Sequence, residues 1–178
     1  MEYKGKNYKL LNEKREGKIL YLALEETEVI KTDTKDKFKF GERSRNKLKN
    51  IHPKLIEVMT EAIKDSPYDF TIVEGVRTAE RQNSLYQQGR TKPGIVVTSK
   101  DGYNKKSNHQ IKSDGFGYAV DLYPFIDGVL RMEYMKYKKE TDAIAEHILN
   151  TAKKLKINVE WGGHWKSLFD PPHFELKN

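Results

Sequence analysis

Apolar residues recur at helical spacing in two stretches of the chain. Leu55, Val58, Met59, Ala62 and Ile63 mark one face of a helix. His52-Pro53 begins it, because proline fits a first helical turn, and Asp65-Ser66-Pro67 ends it. Ile144, Ile148, Ala152 and Leu155 mark a longer helix over roughly 134–156. Between them lie runs of another kind. Phe70–Val73 reads as a strand with Gly75 as its exit, and Tyr118–Phe125 as a second. Asp127-Gly128 turns the second strand onto Val129-Leu130, and Val159–Trp161 and His173–Leu176 close the domain as strands. Ser44 is placed to cap a short helical segment, and Thr78 a helix over 79–88 that stops at Gly89. Residues 89–114 form a long polar loop, a feature that in a compact domain usually serves function. The order of elements predicts an α+β domain: a small antiparallel sheet flanked by helices.

Residues 1–40 differ from this pattern. Leu10-Leu11, Ile19–Leu24, Val29-Ile30 and Phe38–Phe40 are short apolar runs separated by charged turns. They predict a β-rich, strand- or hairpin-like extension over 1–40, leaving 41–178 as the main domain. The length of 178 residues suits one domain with a real core and an appendage. No apolar run is long enough to span a membrane, and the N-terminus lacks the apolar core of a secretory signal. The absence of cysteine excludes disulfides, thiol nucleophiles, iron–sulfur clusters and cysteine-ligated zinc. A formal net charge of +7 suits an anionic partner: nucleic acid, an acidic membrane surface or a bacterial wall polymer.

Four residues stand out as metal chemistry: His109, Asp121, Asp170 and His173. Asp121 sits within the apolar run Tyr118–Tyr123, where a carboxylate is costly unless a cation, an arginine or several backbone donors meet it. His173 opens a strand whose alternation puts Phe174 and Leu176 on the opposite face. Asp170 is tied to it through the stiff Pro171-Pro172 link, a spacing that lets a carboxylate handle the proton of a metal-activated water. His109 lies at the edge of the long loop and reads equally as a solvated histidine. The familiar helical zinc-protease motif, the serine-hydrolase elbow and the phosphate-binding glycine loops are all absent. Two histidines and one aspartate, with a fourth position left open, make the most economical hydrolytic centre the chain offers.

Four segments in order carry a resemblance. They are Ser44–Leu48 running to His52-Pro53, Glu74–Thr78 continuing to Leu85–Thr91, Ser107–His109 followed by Gly117–Asp121, and Trp161–Gly163 through Trp165–Ser167 to Asp170–Glu175. Gly41 to Leu176 resembles the zinc peptidases of the M15 type, specifically the L-alanyl-D-glutamate endopeptidases of phage endolysins and bacterial wall hydrolases. The resemblance implies Zn2+ in a cleft on the sheet, held by His109, Asp121 and His173. It implies Asp170 as general base and then acid, Arg77 as a clamp on a substrate carboxylate or the oxyanion, and Ser107 as a supporting hydroxyl. Two departures stand against the pattern. The twelve-residue spacing from His109 to Asp121 exceeds the family's usual one, so Ile111–Gly115 must loop out, with Asp114 as a rival ligand. His164 stands where the family commonly has aspartate.

The implied function is hydrolysis of the L-alanyl-D-glutamate bond of peptidoglycan stem peptides, for lysis or wall remodelling. The implied partners are the stem peptide and an anionic wall polymer, with no nucleic acid and a monomeric chain. The enzyme would be made in the cytoplasm and reach the wall after release at lysis or by non-classical export. Two alternatives remain: a D-alanyl-D-alanine dipeptidase or carboxypeptidase with the same metal, and a non-catalytic basic module binding wall polymer or nucleic acid.

Overall fold

A computed structural model describes the backbone of residues 2–3, 6–16, 19–26 and 36–177, and the side chains of 36–177. The chain divides into two compact units, Met1–Lys35 and Asp36–Asn178. The first contains three antiparallel strands, β1 (Glu2–Tyr3), β2 (Lys6–Glu16) and β3 (Ile19–Glu26), in that order. The sequence expects a strand- or hairpin-like extension over 1–40, and Val29-Ile30 of that stretch lies outside the described residues.

The second unit begins with a segment tied to residues 64–67. Lys37 donates its backbone N–H to Lys64 O at 2.7 Å, and its ammonium reaches Ser66 O at 3.2 Å and Pro67 O at 3.1 Å. Phe38 and Phe40 therefore form no strand: Phe40 is buried edge-on against Phe70, with centroids 5.5 Å apart. Helix α1 (Glu42–Lys47) follows, then α2 (Pro53–Asp65) with the predicted start, where His52 Nδ1 accepts from Lys54 N at 3.2 Å. Ser44 does not cap α1. Gly41 does, and Ser44 lies buried inside the helix, its hydroxyl accepting from Ile72 N at 3.2 Å. A tertiary donor has taken the oxygen that local propensity assigned to the helix end.

The sheet comprises β4 (Phe70–Glu74), β5 (Ala119–Ile126), β6 (Val129–Leu130), β7 (Val159–Trp161) and β8 (His173–Leu176). All pairings are antiparallel, in the order β4-β5-β8-β7, with β6 folded back onto β5. Helix α3 (Ala79–Gln87) follows β4, and Thr78 Oγ1 caps it by accepting from Arg81 N at 3.2 Å. Helix α4 runs over Lys138–Lys154, starting later than the apolar spacing suggests because 134–137 is a turn.

One face of the sheet carries the core. Phe70, Ile72, Val120, Leu122, Phe174 and Leu176 pack against Leu55, Val58, Met59 and Ala62 of α2 and Ile144, Ala145 and Ile148 of α4. Each fully buried large aliphatic or aromatic side chain there contributes about 1.5–3 kcal/mol. The period of two then sends the alternate residues, Asp121 on β5 and His173 and Glu175 on β8, to the opposite face. The core thus holds the polar residues in register: a slip by one position would bury Asp121 among the aliphatics.

Candidate metal centre

Asp121 and His173 face each other directly across the β5–β8 ladder, and Glu74 is the register partner of Asp121 on β4. Three charged or ionisable side chains thus stand in a row across three adjacent strands. His109 joins them from the long loop. The loop is clasped at its end: Arg77 N donates to His109 O at 2.9 Å, and Tyr118 N to Asn108 O at 2.7 Å. Ser107 Oγ accepts from His109 N at 3.2 Å, turning the backbone so that the imidazole enters the cleft. Gly75 is required here, since a Cβ at that position would lie 1.9 Å from Lys47 O.

The three side chains form a tight triangle. His109 Nε2 is 3.2 Å from His173 Nδ1 and 3.2 Å from Asp121 Oδ1, and His173 Nδ1 is 3.1 Å from Asp121 Oδ1. All three are buried. Hydrogen bonds on the far side of each ring fix the tautomers. His109 Nδ1 donates to Gly75 O at 2.8 Å, and His173 Nε2 to Glu175 Oε2 at 3.1 Å. With its outer nitrogen engaged, each ring turns its other nitrogen toward the other ring and toward a carboxylate oxygen. Three donor atoms aimed at one point form a group that could hold a cation. A tetrahedral ion with bonds of about 2.0–2.1 Å holds its donors about 3.3 Å apart, close to the sides of this triangle. The donor set fits a metal.

Without an ion, a second proton takes that place. Burial opposes charge on His173, but its hydrogen bonds to Asp121 and Glu175 outweigh it and carry the imidazole up to about 9. Burial likewise opposes the charge of Asp121, yet His109, His173 and Arg77 together hold its carboxyl well below the usual range.

Arg77 binds both halves of the site. Its guanidinium donates to Asp121 Oδ2, lies 3.2 Å from Glu74 Oε2, and reaches Gln82 Oε1 at 3.4 Å. Its Nε has no partner among the described residues. Asp170, just before the turn that leads into β8, lines the same cavity as Arg77 and His173. Trp161 Nε1 donates to Pro171 O at 2.7 Å and Leu122 N to Pro172 O at 2.9 Å, so both prolines are pinned. Gly162 admits the turn, for a Cβ there would meet Asp170 O at 2.4 Å and His173 Cβ at 3.1 Å. Burial, reinforced by the charge of Asp121, pushes the Asp170 carboxyl up. His173, Arg77 and His109 offset this only in part.

The two departures resolve locally. Residues 111–115 leave as an exposed excursion closed by Lys112 N to Phe116 O at 2.9 Å. Asp114 points away from the centre and accepts from Tyr118 Oη at 2.9 Å, so it is no ligand. His164 is exposed, edge-on to Trp161 at 4.8 Å.

Sequence reasoning assigned no role to Glu175, Asn108 or Gln82. Burial opposes the charge of Glu175, but donors on His173, Asn108 (2.8 Å) and Lys177 (3.0 Å) pull its carboxyl down to about 2. It is the ionised partner that orients His173. The available signal was its position two residues beyond His173, on the same strand face. Glu175→Gln is expected to weaken metal binding at this group by about 10–100-fold, read by competition with a chromophoric chelator, with an unchanged fold. Unaltered affinity would remove Glu175 from that role.

The sequence profile of the family described as phage L-alanyl-D-glutamate peptidase matches residues 36–176. The peptidoglycan L-alanyl-D-glutamate endopeptidase CwlK of Bacillus subtilis is 31% identical over 134 residues, 71% of this chain and 74% of its own. The L-alanyl-D-glutamate peptidase of Escherichia phage T5 is 31% identical over 140 residues, 79% of this chain and 90% of its own. The crystal structure of the Serratia marcescens L-Ala D-Glu endopeptidase ChiX superposes with a TM-score of 0.60 at 31% identity, covering 79% of this chain and 90% of that one. With the converging triangle and the matched residues in hand, the chain belongs to the phage L-alanyl-D-glutamate peptidase family.

Proposed function

We propose that this protein is a zinc-dependent endopeptidase that cleaves the L-alanyl-D-glutamate bond of peptidoglycan stem peptides. The observation carrying the proposal is the buried triangle of His109, Asp121 and His173, whose donor atoms lie within 4.8 Å of one another in a chain of this family. Two imidazoles and one carboxylate suit zinc better than magnesium or calcium, which prefer all-oxygen shells. Bound there, zinc supplies Lewis acidity that polarises a carbonyl and brings the pKa of a water to about 7.

The chain's own groups do the rest. Asp170, whose carboxyl burial and the Asp121 charge push up, accepts a proton on its carboxylate from the attacking water and returns it to the departing amide nitrogen. Arg77, paired with Asp121 and Glu74, holds the Asp121 carboxylate in place at the centre. Ser107 holds the His109 backbone. The indole of Trp165 lies 5.0 Å from the His173 ring and shields that ligand from solvent. No helix among the described residues is long and apolar enough to cross a membrane, and the net charge of +7 favours approach to an anionic wall. The proposed place of action is the wall, reached after release from the cell.

The deciding experiment is mass spectrometry of peptidoglycan digested by the protein, with and without a chelator. New fragments beginning at D-glutamate, lost with chelator and restored by zinc, are expected. Released D-alanine would instead make the protein a D-alanyl-D-alanine peptidase. No fragments, together with salt-sensitive polymer binding that survives chelation, would make it a binding module.

A further inference from the structure

Two cavities of opposite character flank the centre and meet at Asp170. One, of about 410 Å3, has Thr98, Ser107, Asn108, Lys100 and Lys106 along its wall, with Arg77 and His173. The other, of about 270 Å3, is walled by Ile95, Val96, Met132, Tyr134 and Phe169. Val97, Leu168 and Asp170 border both. The cleft is therefore continuous, with the proton-carrying carboxylate at its waist.

The charges of the polar half are unequal in standing. Arg77 is spent on Asp121 and Glu74, and Lys177 on Glu160 (2.5 Å) and Glu175 (3.0 Å). Lys100 and Lys106 have no ionic partner among the described residues, yet their backbone is braced. Buried Gln82 donates to Lys100 O at 3.0 Å and to Thr98 Oγ1 at 3.2 Å, Ser107 N donates to Gln110 Oε1 at 2.9 Å, and Gln110 donates to Gly102 O at 2.7 Å. Two uncompensated ammonium groups on a held loop, beside hydroxyl and amide donors, suit a carboxylate. The apolar half has one cation, Arg131, which lies over the Tyr137 ring at 5.1 Å.

The proposed substrate has a matching asymmetry. On the carbonyl side of its scissile bond stands an alanine, with only a methyl group. On the nitrogen side stands a glutamate, with a free carboxylate. We propose that the cleft reads the direction of the chain by charge: Lys100 and Lys106 take the glutamyl α-carboxylate, and the Ile95/Val96/Phe169 half takes the alanyl side. This rests on the endopeptidase reading and adds to it a preference for stem peptides whose glutamyl α-carboxylate is not amidated. Orientation follows from the charge count, since the polar half offers two unpaired ammonium groups against the single Arg131 guanidinium, already stacked on Tyr137, in the other half.

The test uses the full zinc-loaded chain and two peptides containing L-Ala-D-Glu. They differ only in having a free or an amidated glutamyl α-carboxylate, the γ-carboxyl being amidated in both. Wild type is expected to favour the carboxylate form in kcat/KM by about tenfold, as a charge-assisted contact would give. The double variant K100A/K106A reduces that preference to about twofold or less, whereas R131A keeps it. Binding to the Asp170→Ala protein, read by calorimetry, should show the same preference and lose it at about 0.5 M salt. Equal cleavage of the two peptides by wild type, or loss of the preference in R131A and not in K100A/K106A, overturns this inference and leaves the endopeptidase reading standing. Cleavage of neither peptide removes both.

Discussion

Asp170→Ala is expected to lower the hydrolysis of an L-alanyl-D-glutamate peptide by about 10²–10⁴-fold while leaving metal content unchanged at about one per chain, as the proposed mechanism requires. The reason lies in the separation of roles. Asp170 is outside the His109–Asp121–His173 triangle, so its loss removes no ligand. Its carboxyl is pushed up by burial and by the charge of Asp121, a sign that the surroundings disfavour its ionised form. Alanine at that position thus relieves an unfavourable charge, and thermal stability should be unchanged or slightly higher. Activity and stability moving in opposite directions is the signature of a residue retained for chemistry. A variant with near-normal turnover, or one that loses zinc along with activity, would take Asp170 out of the proton-carrying role.

His173→Ala acts by the other route. It removes one donor of the triangle and also strands Glu175, whose ionised carboxylate then keeps only Asn108 and Lys177 as partners. Elemental analysis is expected to find less than about 0.1 zinc per chain, because two remaining donors do not close a site of this kind. The same logic sets the effect of chelation on wild type. A ligand present at a thousandfold its dissociation constant stabilises the folded state by about 4 kcal/mol, so stripping zinc should lower the melting temperature by on the order of 10 °C. Zinc added back should restore it, and should do nothing for His173→Ala. If chelator and zinc leave the wild-type melting temperature unmoved, the triangle is no metal centre.

Much of the fold is legible in the sequence. The spacing of Leu55 to Ile63 and of Ile144 to Ala152 defines helix faces that are buried in the structure, and the alternation Phe174/Leu176 against His173 separates core from cleft. Propensity misleads where a distant group claims a polar atom. The Ser44 hydroxyl serves Ile72, and the Phe38–Phe40 run packs beside Phe70 instead of pairing as a strand. The supports of the site are illegible for a similar reason. Asn108 meets Glu175 across sixty-seven positions, and Gln82 meets the 98–100 turn from a separate helix. Such pairs have no local period, and they appear only once the sheet has set the register. The ligand set itself is read through resemblance, since His109 taken alone is indistinguishable from a solvated loop histidine.

The excursion at 111–115 bears on how such proteins are found and altered. Its two ends are tied together, and it lies outside the clasp that seats His109, so the interval along the chain between the first two donors carries little information about the centre. Pattern searches that demand one fixed gap there would pass over members of this kind. The same bulge is a natural port for a grafted tag or targeting peptide, since an added segment would project into solvent and leave the donors undisturbed.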